Sequence, residues 1–190
     1  MKQKDHRALA HYLMNHLGDP SFFRKSWNRR FFILGSISPD YIPFTYLRGF
    51  RKSHGMLGHN ADYSGRAIQK KMRRLEEKGL ARWRDCLRMG SLMHYLADSF
   101  THPHTSRFSG DMREHRRYER ELHEHFLAFL EQWKRISEQN LTNEHPIDLL
   151  RRLRREYQTG DASPESDCIG ILNACSAIFD RLHQAKAAVE

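Results

Sequence analysis

The chain has 190 residues, 39% of them hydrophobic, which is enough for one domain with a buried core, and no shift in composition marks a second. Its 32 basic and 23 acidic residues give a formal net charge of +9 and a pI near 9.7, so phosphate esters, nucleic acid or lipid headgroups are favoured as partners over cations. No apolar run reaches the length of a membrane span, and the start of the chain is interrupted by Asp5, His6, Arg7, His11 and Asn15, so neither a signal peptide nor an anchor is expected and the location reads as cytoplasmic.

In chain order, residues 5–17 carry Leu9, Tyr12, Leu13 and Leu17 at helical spacing and close at Gly18-Asp19-Pro20. A second helical run from Ser21 to Leu34 contains Phe22, Phe23, Trp27, Phe31 and Phe32, with Gly35 as its stop. Pro39 and Pro43 then disfavour helix and are expected to hold Asp40 in an irregular segment. Phe44 to Asn60 is basic, punctuated by glycine, and places His54 on a loop. Residues 61–78 are again helical in pattern, ending at Gly79. A central helix over 81–101 turns an inner row of Trp83, Leu87, Gly90, His94, Ala97 and Thr101 to the core, and Gly90 leaves room for a neighbouring helix to approach.

The next helix begins near Ser109 and fades near Asn140. Its apolar stripe of Met112, Leu122, Phe126, Phe129, Trp133 and Ile136 has two steps missing, and His115 and Glu119 fill them. An ionised glutamate on a core-facing row costs several kcal/mol unless it is paired or binds a metal. Pro146 opens an arginine-rich helix that stops at Gly160. Ser163-Pro164 starts a last helix burying Cys168, Ile171, Leu172, Cys175, Ile178, Phe179 and Leu182. The three cysteines show no CxxC spacing and read as reduced core thiols. With no alternating strand pattern, the fold class is all-α: a single-domain, multi-helix bundle spanning residues 1–190.

On the central helix His94 and Asp98 lie four apart and share a face, as do His115 and Glu119 on the next, with His104 between the two helices. Taken singly, each histidine reads as a surface or hydrogen-bonded core residue. The ordered set of nitrogen and oxygen donors points to a metal centre, with His102 in a supporting role. The run Arg151-Arg152-Leu153-Arg154-Arg155 reads as a solvated helix face before it reads as a nucleic-acid grip.

His94-x3-Asp98-x5-His104 followed by His115-x3-Glu119 resembles the bacterial zinc-dependent phospholipase C family and, more distantly, the zinc-dependent single-strand nucleases. Gly35-Ser36-Ile37-Ser38-Pro39-Asp40 looks like that family's loop with a metal-binding aspartate, His54 follows at the family's spacing, and His6 matches the histidine that opens the family domain, so the motif-bearing part is 6–119. The resemblance implies one zinc on Asp40, His54, His94 and Asp98, and a second on His104, His115 and Glu119. It implies a third shared by Asp98, His6 and the backbone of the chain's first residue. Met1 stands where the family's secreted enzymes begin with tryptophan, and a frayed terminus is the simpler expectation for Met1.

The reading that follows is a phosphoric ester hydrolase of phospholipase C type using two or three zinc ions, with Asp40 as the catalytic carboxylate that orients or deprotonates water. Its substrate is a phospholipid, nucleotide or nucleic acid, with peripheral membrane contact implied by the first. The alternatives are a nuclease or nucleotide phosphoesterase, and a non-catalytic binding protein stabilised by metal.

Overall fold

Every element in the described residues (1–41, 61–133 and 144–184) of the computed structural model is helical, as an all-α chain requires. In order these are α1 (Gln3–His16), α2 (Pro20–Arg24), α3 (Ser26–Tyr41), α4 (Ala61–Lys78), α5 (Trp83–Ser99), a 3₁₀ turn (His102–His104), α6 (Met112–Gln132), α7 (Pro146–Thr159) and α8 (Pro164–Gln184).

Local chemistry sets several of these boundaries. Asp19 caps α2 by accepting from Ser21 N, and Asp111 caps α6 by accepting from Arg113 N and Glu114 N while Glu114 returns a bond to Asp111 N. Pro146 and Pro164 stand at the first positions of α7 and α8, where a missing N–H is harmless. Gly79 ends α4 in the left-handed region, φ 62°, that a side chain would resist.

α5 is the hub, packing against α3, α4 and α8, and burying Cys86, Met89, Leu92, Met93, Leu96 and Ala97. Its contact with α3 is the most extensive between any two helices, and two glycines explain why. A Cβ on Gly90 would lie 2.1 Å from Phe32 O, and one on Gly35 would lie 2.1 Å from Leu87 O, so the two backbones touch where a side chain would separate them.

Gly35 is therefore a packing residue rather than a helix stop, and the expected break at residues 35–43 gives way to helix through Pro39 as far as Tyr41. The hydroxyl of Ser38 reaches the Gly35 carbonyl (3.4 Å), which has lost its usual donor to the proline, and the tight α3–α5 seam holds the segment helical. Asp40 consequently sits in the last turn of α3. Two inner-row assignments also change. Trp83 is 43% exposed and Met112 40% exposed, because each lies in the first turn of its helix, before the neighbouring helices begin to cover it. α6 runs to Gln132, and Ile136 and His54 lie outside the described residues. The rest of the stripe behaves as its spacing demands: Leu122 and Phe126 are buried, and every apolar residue named on α8 is in the core. Cys86, Cys168 and Cys175 are free and buried, with burial pushing the first two thiols up to about 12.

Candidate metal centre

The close α3–α5 seam has a direct consequence for His94. Its Nδ1 donates to the carbonyl of Ser36 on α3 (2.9 Å), which fixes the tautomer and leaves Nε2 directed at Asp98 and Asp40. One turn along α5, Asp98 is buried and presents its two oxygens to different neighbours. Oδ2 lies 3.3 Å from His94 Nε2, which is itself 3.5 Å from Asp40 Oδ1. Oδ1 lies 3.2 Å from His6 Nε2 on α1 and 3.1 Å from the Met1 amine. His6 and His94 stack face to face with ring centroids 3.9 Å apart.

The second group stands on the 3₁₀ turn and α6. Glu119 Oε1 lies 3.3 Å from His115 Nε2 and 3.6 Å from His104 Nε2. The Met1 amine joins the groups, 3.1 Å from Glu119 Oε1 and 3.4 Å from His104 Nε2. It is a buried cation between two carboxylates, not a frayed end. Two sets, His6-His94-Asp98 and His104-His115-Glu119, each bring one donor atom per residue within 4.8 Å of one another.

These separations fit a shared ion. Four donors at the usual zinc distances of about 2.0–2.1 Å form a tetrahedron whose edges are roughly 3.3–3.4 Å. The His–carboxylate separations here run from 3.2 to 3.6 Å. Neither ring nitrogen of His6 makes a hydrogen bond, although the ring is fully buried. A buried imidazole with both nitrogens unbonded, beside a carboxylate that already faces a second histidine, is the donor chemistry of a metal ligand.

Electrostatics prepare the donors. Burial, reinforced by the neighbouring His94, lowers the His6 pKa to about 3 and keeps that ring neutral. Burial opposes the charge on Asp98 and on Glu119, yet both are held well below the usual carboxylate range. For Asp98 the causes are the Met1 ammonium, His104, His6 and His94; for Glu119 they are hydrogen bonds from His104 and His115 and then the ammonium. Asp40 differs: burial raises its pKa, only partly countered by His94, and its side chain keeps 27% of its exposure. The Met1 amine is raised to about 10, because Asp98 and Glu119 outweigh a burial penalty that by itself would lower it.

Of the eight residues singled out from the sequence, seven converge: His6, Asp40, His94, Asp98, His104, His115 and Glu119. The eighth, His54, is outside the described residues. His102 packs its ring against Phe108 and Tyr118 and is not among the donors; its contribution is its backbone, which donates to Asp167 Oδ2 (2.8 Å).

Of the buried acids that the sequence did not single out, two anchor the elements of the site. Asp5, next to His6, bonds His123 Nδ1 on α6 and the backbone N of Lys2, tying the start of α1 to the helix that carries Glu119. Asp167 on α8 accepts from His102 N, Tyr118 OH (2.9 Å) and Tyr157 OH (2.6 Å), gathering the ligand-bearing turn, α6 and α7 at one carboxyl. Both begin an apolar row, Asp5-Leu9-Leu13 and Asp167-Ile171, and that placement was the available signal.

Fold and site together define an all-α protein that gathers histidines and carboxylates into a clustered candidate metal centre. The chain belongs to the zinc-dependent phospholipase C family, whose description matches residues 5–163. No curated protein and no solved structure matches it.

Proposed function

We propose that this protein is a zinc-dependent phosphodiesterase of phospholipase C type that cleaves the phosphodiester of a phospholipid headgroup. The observation that carries the reading is the spacing of the donors: seven side chains from α1, α3, α5, the 3₁₀ turn and α6 converge at separations a shared zinc ion would impose. Asp40, His94 and Asp98, with His54, would hold one ion, and His104, His115 and Glu119 a second. His6, Asp98 and the Met1 amine would hold a third, the metal displacing the proton that the amine carries between Asp98 and Glu119.

Bound zinc would polarise the phosphoryl oxygens, lower the pKa of a coordinated water towards neutrality and stabilise the leaving alkoxide. The chain's own residues supply the rest. Asp98 serves two ligand sets through its two oxygens, so a single buried charge organises both. Ser36 holds His94 in the tautomer that directs Nε2 inwards. Asp40 keeps 27% of its side-chain exposure, so water reaches it beside the other donors, and it is the carboxylate that would orient and deprotonate the attacking water.

The deciding experiment loads the purified protein with zinc, measures bound metal, and follows turnover of a chromogenic phosphodiester, phosphatidylcholine, nucleotides and single-stranded DNA. Turnover of the first two supports this reading; cleavage of DNA alone replaces it with the nuclease alternative. Bound zinc with no turnover of any of them leaves the metal-stabilised binding protein.

A further inference from the structure

We propose that the outer face of α3 and the start of α5 form a docking surface for an anionic phospholipid bilayer. On α3, Trp27, Phe31 and Leu34 recur at helical spacing, with Trp27 and Leu34 exposed and Phe31 half-buried against the edge of the core. Trp27 is 62% exposed, Leu34 47% and Trp83, from α5, 43%. The three aromatics are contiguous, with centroids 5.9 Å apart for Trp27–Phe31 and 4.6 Å for Phe31–Trp83.

The cations decide the occupant. Arg30 stacks over Trp27 (5.7 Å) and Arg84 over Trp83 (5.1 Å), and neither guanidinium has a carboxylate partner among the described residues. Between Asp19 and Asp40 the chain has no acidic residue but holds Arg24, Lys25, Arg29 and Arg30, and Arg82 extends the exposed basic rim beside Trp83. Asp85, the nearest acid on α5, is paired with Arg88 at 2.6 Å. A second copy of this chain would bring an equally cationic rim against the patch and be repelled. Single-stranded nucleic acid would match the charge and stack bases on the aromatics, but it leaves the exposed aliphatic side chain of Leu34 uncovered, which acyl chains would bury. Amphipathic indoles edged with arginine match the boundary between acyl chains and anionic headgroups, where both side chains are at home.

The patch also lies on the helix that carries the candidate base. Asp40 is six positions beyond Leu34, about 9 Å of helical rise. The inference rests on the phospholipid reading for why a bilayer would be engaged, and the test keeps the two apart by reading binding and turnover separately.

The zinc-loaded protein is sedimented with vesicles of phosphatidylcholine alone and of phosphatidylcholine mixed with phosphatidylglycerol, with headgroup release measured in the same samples. The parent should bind the mixed vesicles more tightly, and salt should weaken that preference. R30S/R84S should bind mixed vesicles about 25-fold more weakly, at about fivefold per arginine, with little change on neutral ones. W27S/W83S should weaken binding about tenfold on both. These positions are solvent-exposed, so helicity by circular dichroism should be unchanged. In the parent, brominated lipid should quench tryptophan fluorescence, and in W27S/W83S, where Trp133 alone remains, quenching should largely vanish. The inference is overturned if the parent ignores mixed vesicles, if both double variants bind like the parent, or if quenching persists in W27S/W83S. Binding without headgroup release supports the docking surface and counts against the phospholipase reading.

Discussion

Asp167 lies four residues beyond the family match, yet it holds the turn that presents His104, and its removal should be felt in a way that depends on pH. Burial raises its pKa from 3.8 to about 6, against the pull of Tyr157, His102 N and Tyr118 as donors. A carboxyl whose folded pKa exceeds its unfolded one adds stability that is fully present below pH 4 and is lost as pH rises through 6. That difference corresponds to roughly 3 kcal/mol at 1.36 kcal/mol per pH unit. Asn in its place cannot ionise and offers one acceptor oxygen to three donors, one of them a backbone N–H, so at pH 4 Asp167→Asn should be less stable by about 2–3 kcal/mol. The gap should close towards pH 7, because only the parent then carries a buried charge. Urea unfolding of both proteins at a series of pH values, with chelator present so that metal uptake does not contribute, gives the difference directly. A gap that widens as pH rises would refute the reasoning and show that the three donors, not burial, set the state of this carboxyl.

Gly90→Ala should cost at least about 3 kcal/mol in urea unfolding, since its Cβ would meet Phe32 O at 2.1 Å and must push α3 away from α5. Asp98→Asn should lower bound zinc at more than one position, whereas His183→Ala, on α8 and paired with Asp19 N, should leave the metal count unchanged; elemental analysis distinguishes them. Chelation should destabilise the parent by about 2–4 kcal/mol and lower its Tm, with a smaller drop in Glu119→Gln, which has already lost a donor. A few extra residues placed before Met1 should remove one zinc while leaving the others, because they move the amine from its place between Asp98 and Glu119. Equal metal counts with and without the extension would exclude Met1 as a ligand.

Much of this was legible because the fold is helical and a helix has one strong period. The α6 stripe, with His115 and Glu119 in its missing steps, the α5 pair His94 and Asp98, and the capped starts of α7 and α8 follow from local rules that tertiary contacts do not override. Where those rules failed, a neighbour intervened. Gly35 and Pro39 read as punctuation, but Gly35 is the residue that lets α3 touch α5, and the contact carries the helix past the proline. Trp83 and Met112 had the right spacing and no helix to cover them. The burial of Met1 depends on where α1 docks against α5 and α6, and no local pattern encodes that.

Asp5 and Asp167 were missed for a subtler reason, and it bears on how the centre is built. Each sits in the first turn of a helix, where an acid is favoured by the helix dipole and calls for no further explanation. Glu119 drew notice only because it lies in mid-helix. The same test, an acid on the apolar row, applies to all three, and each proves to be a junction: Glu119 between histidines, Asp5 between α1 and α6, Asp167 among the 3₁₀ turn, α6 and α7. The donors are thus held from two sides, by Asp5 beside His6 and by Asp167 behind His104, neither of which faces the donors themselves. A site assembled from five separate elements needs such outer anchors, because each donor's position is only as fixed as the helix or turn that carries it. That places α8, which contributes no donor, among the elements on which the geometry of the centre depends.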